Sequence, residues 1–315
     1  MASSNGFRRL LLFPEGTTTN GKVLLSFKLG AFIPGCAIQP VVVRYPFVHF
    51  DQSWGNASLS RLMIRMFLQF HNFMEVEYLP VIYPCDKCKE NPAYFAAKVG
   101  YEIATSLNVL QTFYSFGDIM LLQKATEAKH VNPSSFLVEM ARVESLYNVS
   151  ISEVLFLLDK FLSMNPSSSG RVKLEEFSTA LGLPACSLSE EVFNFVDVDE
   201  AGTVTFKQFV YASGHMTRQP LFWQLCDAAF NHCGGKRGFN EQEFADAIRE
   251  IEDLEDSAIR NLFRQFDSDG TGTVSRDAFV SCIRRNPFVI VFLISLSEWH
   301  ALVGSSTRHP VACRL

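Results

Sequence analysis

The chain has 315 residues, 48% of them apolar and 19% charged, with a formal net charge of −5. That length holds about two domains of ordinary size and that apolar fraction fills real cores, which excludes a disordered protein; acidic and basic residues are interspersed, so no basic footprint points to nucleic acid. No window reaches the ~20 apolar residues that a membrane-spanning helix requires, the eight cysteines are scattered and read as reduced thiols, and Met1 to Gly6 lacks the apolar core of a targeting peptide.

Leu10-Leu11-Leu12-Phe13 reads as a short buried strand, ended by Pro14, which has no N–H to give a ladder. Glu15 follows, then Gly16, whose backbone can turn sharply or approach a ligand closely. Thr17 to Asn20 add three hydroxyls and an amide, donors suited to an anion or a polyol, with Glu15 left as acceptor. Two readings of Phe13 to Thr19 stand side by side: a surface turn with a helix cap, and a polar pocket at the end of a strand. Lys22 to Gly30, mostly apolar with two lysines, reads as a short helix that ends in the loop Gly30 to Gly35. Ile38 to Tyr45 is a second buried-strand run, with Pro40 at its start or on an edge. Strand, polar turn, short helix, strand is an α/β unit.

Leu59 to Phe70 has apolar residues at helical spacing, with Arg61 and Arg65 four apart on one face. They suit a solvated face, or a pair of phosphate contacts. Val76 to Ile82 alternates like a strand, and Pro92 to Leu110 reads as an amphipathic helix with proline in its first turn. Cys85-Asp86-Lys87-Cys88 is the one close cysteine pair; without further ligands it reads as a loop ahead of a redox or zinc site. Asp118 to His130 carries the chain away.

Phe13 to Thr19 and Ile38 to Val43 resemble the glutamate-glycine-threonine block and the later proline-centred block of the glycerolipid acyltransferases. More narrowly, Phe13 to Tyr45, Phe47 to Asn56 and Gln69 to Pro84 are similar to the lysophosphatidylethanolamine acyltransferases of plants, and the resemblance runs to about Pro287. It implies transfer of an acyl group from acyl-coenzyme A, as co-substrate, to lysophosphatidylethanolamine or lysophosphatidylcholine. It implies work at a membrane surface, on the cytosolic face of the endoplasmic reticulum or another endomembrane. Glu15, Gly16, Thr17 and Thr18 take the acceptor-binding role by position, and Arg44 is placed to meet a phosphate. Many relatives carry arginine where this chain has Thr18, which favours a lysophospholipid over glycerol 3-phosphate. The family's catalytic His-x-x-x-x-Asp motif is missing. All seven histidines, His49, His71, His130, His215, His232, His300 and His309, follow the block, and none has an aspartate five residues on. The base that takes the acceptor's proton is therefore absent. The expectation is an N-terminally truncated acyltransferase, inactive alone.

From about Asn132 to Asn286 a helix, a polar loop and a helix repeat four times at a period of about 32 to 36 residues. The fourth copy is the clearest, with Asp267-Ser268-Asp269-Gly270-Thr271-Gly272-Thr273-Val274 between apolar helical faces. This is the EF-hand pattern: oxygens at loop positions 1, 3 and 5, glycine at 6, an apolar residue at 8 that pairs with a neighbouring hand, and a bidentate glutamate at 12. The first loop has Asn165, Ser167, Ser169, Gly170, Val172 and Glu176; it keeps the glutamate and lacks the acids. The second has Asp197, Asp199, Ala201, Gly202 and Val204, then Gln208. The third, His232 to Glu243, puts Gly-Gly-Lys-Arg-Gly where acids belong, and its Glu243 pairs with Asn240 as a helix cap. The fourth offers Asp267, Asp269, Thr271, the Thr273 carbonyl and a nearby Asp277, with Ala278 at position 12. Calcium needs about six to eight oxygens, so the fourth loop is the best and an incomplete candidate. The expectation is a degenerate EF-hand domain, kept for packing or for a protein partner.

Phe288 to Leu296 is a nearly unbroken apolar run, open to packing as a last helix or to touching a membrane through Phe288, Phe292 and Trp299. Gly304 onward has no pattern and reads as non-homologous sequence. The expected architecture is thus an α/β acyltransferase half-domain over 1–125, an all-α EF-hand-like domain over 130–287, and a tail over 288–315. Two rivals to the enzyme are a non-catalytic interaction protein and a calcium sensor.

Overall fold

A computed structural model describes residues 10–51, 58–85, 90–234 and 237–304. The chain divides into two compact units, 1–119 with 139–141, and 120–138 with 142–315.

In the first unit, β1 (Val23–Leu24) pairs in parallel with β4 (Leu110–Gln111), and β2 (Val41–Arg44) pairs antiparallel with β3 (Glu75–Tyr78). Ile38 bridges Ile82 beyond the second pair. In sequence α1 (Leu59–Phe67) falls between β2 and β3, and α2 (Pro92–Leu107) between β3 and β4. Helix α2 begins where Asn91 accepts the Ala93 N–H and Pro92 needs no partner, and stops where Asn108 turns left-handed. Its buried face, Phe95, Ala96, Val99 and Ala104, meets Leu24, Phe27 and Phe32. Phe32 stacks on Phe27 at 6.0 Å and meets Phe95 edge-on at 5.7 Å.

Two expectations fail here. Leu10 to Phe13 is no buried strand: it has no ladder partner among the described residues, and Phe13 is 78% exposed. The short helix expected before Gly30 shrinks to a 3-10 turn, Leu29–Ala31, because Val23 and Leu24 are drawn into the pair with β4. Helix α1 forms as predicted yet buries none of its residues.

Helix α3 (Phe116–Glu127) carries the chain into the second unit, and α4 (Met140–Tyr147) follows. Four helix-loop-helix repeats then fold as two pairs. Helices α5 (Ile151–Leu162), α6 (Leu174–Leu181), α7 (Ser187–Val196) and α8 (Phe206–Arg218) make the first; α9 (Pro220–Gly234), α10 (Glu241–Arg249), α11 (Asp256–Phe266) and α12 (Arg276–Arg285) make the second. Short strands join the loops of each pair, β5 (Arg171–Val172) to β6 (Val204–Thr205) and β7 (Phe239–Asn240) to β8 (Thr273–Val274). The registers set Val172 against Val204 and Phe239 against Val274, the apolar position 8 of each loop. Position 6 is left-handed where it is glycine, with φ of 75° at Gly170, 67° at Gly202 and 77° at Gly272, the region that side chains avoid.

The core of this unit is built from phenylalanine. Phe161, Phe206 and Phe209 cluster in the first pair; Phe239, Phe244, Phe266 and Phe279 cluster in the second. After α12 the apolar run continues as a 3-10 helix, Pro287–Leu293, with every residue buried, and then as α13 (Leu296–Gly304). Phe288 reaches Phe209 at 5.6 Å and Phe177 at 6.0 Å, and Trp299 meets Phe195 at 5.7 Å. This corrects the membrane-contact alternative: Phe288, Phe292 and Trp299 are core residues at 0–1% exposure. The sequence beyond Gly304 lies outside the described residues.

Candidate functional site

The Phe13 to Thr19 segment folds as a tight turn. The Gly16 N–H donates to the Phe13 carbonyl at 3.1 Å, with Pro14 at the second position of the turn, which its fixed φ suits. Glu15 is turned inward and accepts the Leu25 N–H at 3.2 Å, which ties the turn to the end of β1. Burial pushes its carboxyl above the usual range, and the Leu25 bond partly offsets this. Gly16 sits at φ +70°, and a side chain there would lie 2.6 Å from Lys28 Cε and 2.9 Å from Lys28 Nζ. The lysine stem therefore lies across the bare glycine. Its backbone N–H donates to the Pro14 carbonyl at 2.8 Å, and its ammonium stands 5.0 Å from the Phe116 ring centre. Thr17 is half-buried, with its hydroxyl 3.4 Å from the Thr18 carbonyl; Thr18 is exposed. The Lys28 cation thus lies over Gly16, with a carboxylate on Glu15 and hydroxyls on Thr17 and Thr18 in the adjoining residues of the turn, groups able to serve a ligand with both a donor and an anion.

Lys28 is the residue the sequence reading passed over. Its position twelve residues after Gly16 gives no local sign that the chain folds back on the turn. Arg44 lies elsewhere, on β2, where it pairs with Glu77 at 2.8 Å and donates to the Ser106 carbonyl at 2.6 Å and hydroxyl at 3.0 Å. The Arg44 and Ser106 hydrogen bonds hold the Glu77 carboxyl below the usual range. Arg61 and Arg65 both lie on the exposed α1. Of the cysteine pair, Cys85 is exposed and Asp86 to Cys88 fall outside the described residues.

In the repeat loops, position 12 turns toward the backbone of its own exiting helix. Glu176 accepts the Lys173 N–H at 2.7 Å, Gln208 the Thr205 N–H at 2.7 Å, and Glu243 the Asn240 N–H at 2.8 Å. The cap predicted for Glu243 is formed, with Asn240 returning a bond to its N–H at 3.0 Å. Gln208 also donates to Asp199 at 2.7 Å, and Asp199 meets Arg171 at 3.3 Å, so the second loop is closed by its own side chains. Asp197, buried, accepts the Ala201 and Gly202 N–H groups. Burial and the neighbouring Asp199 push its carboxyl up. In the third loop α9 runs on to Gly234, so the first three loop positions are helical.

The fourth loop gathers its oxygens around Thr271. The Thr271 hydroxyl lies 3.0 Å from Asp269 and 3.0 Å from the Thr273 carbonyl, and the Thr271 and Gly272 N–H groups donate to Asp267 at 3.0 Å. The Thr271 bonds lower the Asp269 carboxyl. Asp277 is exposed, and Ala278 offers only its N–H, which the Ser275 hydroxyl accepts at 3.2 Å. Two carboxylates, a hydroxyl and a carbonyl fall short of the set a calcium ion takes. Among the described residues no cluster of three or more His, Cys, Asp or Glu side chains has metal-binding geometry.

A family model for an EF-hand domain pair matches residues 243–286. The chain is 58% identical over 292 residues to the lysophospholipid acyltransferase LPEAT2 of Arabidopsis thaliana, covering 92% of this chain and 54% of that protein. It is 30% identical over 281 residues to human lysophosphatidylcholine acyltransferase 1, covering 87% and 52%, and 29% identical over 315 residues to zebrafish lysophosphatidylcholine acyltransferase 2, covering 97% and 59%. The chain is a relative of the lysophospholipid acyltransferases. It spans about half the length of the curated relatives it matches. No helix among the described residues is long and apolar enough to cross a membrane.

Proposed function

We propose that this chain is the acceptor-binding part and helical scaffold of an acyl-coenzyme A-dependent lysophospholipid acyltransferase. The observation that carries the reading is the 58% identity over nine-tenths of the chain, and the Glu15 turn gives it a physical basis. Glu15, Gly16, Thr17 and Thr18 hold the lysophospholipid acceptor, lysophosphatidylethanolamine or lysophosphatidylcholine. Lys28, across Gly16, supplies the phosphate charge that Thr18 does not. Arg44 is a weaker phosphate contact, since reaching one means leaving Glu77. The first unit, with both strand pairs on α2, is the α/β half-domain of the acyltransferase; its strands make two small pairs instead of one sheet.

In the reaction the acceptor hydroxyl loses its proton to a base and attacks the thioester carbonyl; a new ester forms and coenzyme A leaves as the thiol. No histidine in these 315 residues has the family's aspartate spacing, so we assign the base to a His-x-x-x-x-Asp pair outside them. The acceptor being a membrane lipid, the site works at a membrane surface, with the endoplasmic reticulum as the compartment the family suggests. The EF-hand-like unit acts as a scaffold or partner-binding module in this reading, because its position-12 side chains are engaged as helix caps.

An acyl-transfer assay with labelled acyl-coenzyme A and lysophosphatidylethanolamine tests this. The chain alone is expected to show no turnover, and fusion to the unmatched residues of the Arabidopsis relative is expected to produce it. Turnover by the chain alone would place the base among its own histidines.

A further inference from the structure

A cleft of about 450 Å³ opens in the helical unit, lined by Phe156, Asp159 and Lys160 of α5, Gln265 of α11, Cys282 and Arg285 of α12, and Asn286. Its size is that of a small-ligand site. Two cations, Lys160 and Arg285, line it with one acid, Asp159. Asp159 is taken by Lys124 at 2.6 Å, and among the described residues neither Lys160 nor Arg285 has a carboxylate within ion-pair distance. Burial holds the Lys160 amine below the usual lysine range, and the charge of Arg285 adds to the effect. Like charges confined together in a partly dry cleft favour an anion between them.

Asn286 makes the demand more specific. It is 2% exposed, and its amide nitrogen donates to the Leu181 carbonyl at 3.0 Å and to Gln265 at 3.3 Å. Its Oδ1 is buried with no partner. A buried acceptor left unpaired is costly, and a ligand hydroxyl that reaches it as the side chains around it shift recovers that cost. The remaining wall is apolar: Cys282, whose thiol burial pushes up to about 11, and Phe156, 43% exposed.

We propose that this cleft binds a phosphate monoester with a neighbouring hydroxyl, the phosphate between Lys160 and Arg285 and the hydroxyl donating to Asn286 Oδ1. A single-chain lysophosphatidic acid and soluble glycerol 3-phosphate share this chemistry. Phe156 favours the lipid, whose chain has an aromatic face to follow. The cleft uses no residue of the Glu15 turn, so the two assignments stand or fall separately.

The test is site-resolved amine labelling of the full chain, read by mass spectrometry. Lysophosphatidic acid below its micelle concentration, glycerol 3-phosphate and dodecyl phosphate, which lacks the hydroxyl, are the probes. Lysophosphatidic acid is expected to slow labelling of Lys160 about tenfold, leaving the exposed Lys98 unchanged, with dodecyl phosphate protecting less. Arg285→Gln should abolish the protection. Equal protection by glycerol 3-phosphate would assign the soluble source. Unchanged Lys160 labelling with both hydroxylated probes, or protection that survives Arg285→Gln in a protein with unaltered circular dichroism, would overturn the proposal. Glu15→Gln, by contrast, should leave Lys160 protection intact.

Discussion

The two units bury their large apolar side chains to very different degrees. The helical unit hides Phe136, Phe161, Phe177, Phe206, Phe209, Phe266, Phe279, Phe288 and Trp299 at 0–1% exposure. The strand-containing unit leaves Leu10 to Phe13, Phe67, Phe70 and Tyr78 at 49% exposure or more. Paired EF-hand repeats close their own cores, and the 287–293 segment completes this one. Among the described residues the first unit's aromatic core lies along α2, where Phe27, Phe32 and Phe95 meet. Stability in this protein therefore belongs mainly to the scaffold, while the candidate acceptor site sits on the less buried partner.

The sharpest way to break that contrast is to mutate one aromatic residue on each side. Phe288→Ala, at the meeting of Phe177 and Phe209, should cost about 3–5 kcal/mol in urea unfolding of the helical unit. Phe67→Ser with Phe70→Ser should change stability by less than about 0.5 kcal/mol and reduce self-association in light scattering. Equal losses would mean that α1 is buried in solution.

Caps sharpen the comparison at smaller scale. Asn240→Ala removes the side-chain half of a reciprocal cap, leaving the backbone N–H of residue 240 on Glu243, and should cost about 1 kcal/mol. Ser58→Ala, at an α1 start with no side-chain cap bond, should cost nothing measurable in the same unfolding assay. Calorimetric titration with calcium should show no saturable uptake at about 10 µM, the sensor range; uptake there would restore the fourth loop as a metal site.

The smallest expected effect is electrostatic. Glu15 has its folded carboxyl raised by burial above 4.5, so the native state holds the proton more tightly than the unfolded chain. Its stabilising contribution is full below that value and is lost as pH rises through the raised one. Glu15→Gln should flatten the fall in melting temperature of the first unit as pH rises above the ordinary glutamate range. An unchanged profile would mean that Glu15 is solvated.

Much of the helical unit was legible because its demands are local. Position 8 pairs, left-handed glycines at position 6 and the Asn240–Glu243 cap follow from spacing alone. The burial of Phe288 to Leu293 was not, since an apolar run of that length fits a core or a membrane surface equally and periodicity does not choose. Leu10 to Phe13 misled for the same reason: apolar composition announces a strand, but a strand needs a neighbour to bond to. At the candidate site Glu15 and Gly16 stood out as a motif, whereas Lys28 reaches them only through the fold.

The measurement that bears most directly on the acceptor-site assignment is steady-state acyl transfer by the fused, active enzyme carrying Glu15→Gln or Lys28→Gln. Either variant is expected to raise the KM for lysophosphatidylethanolamine about tenfold and to leave the KM for acyl-coenzyme A unchanged. An unaltered acceptor KM in both variants would contradict it.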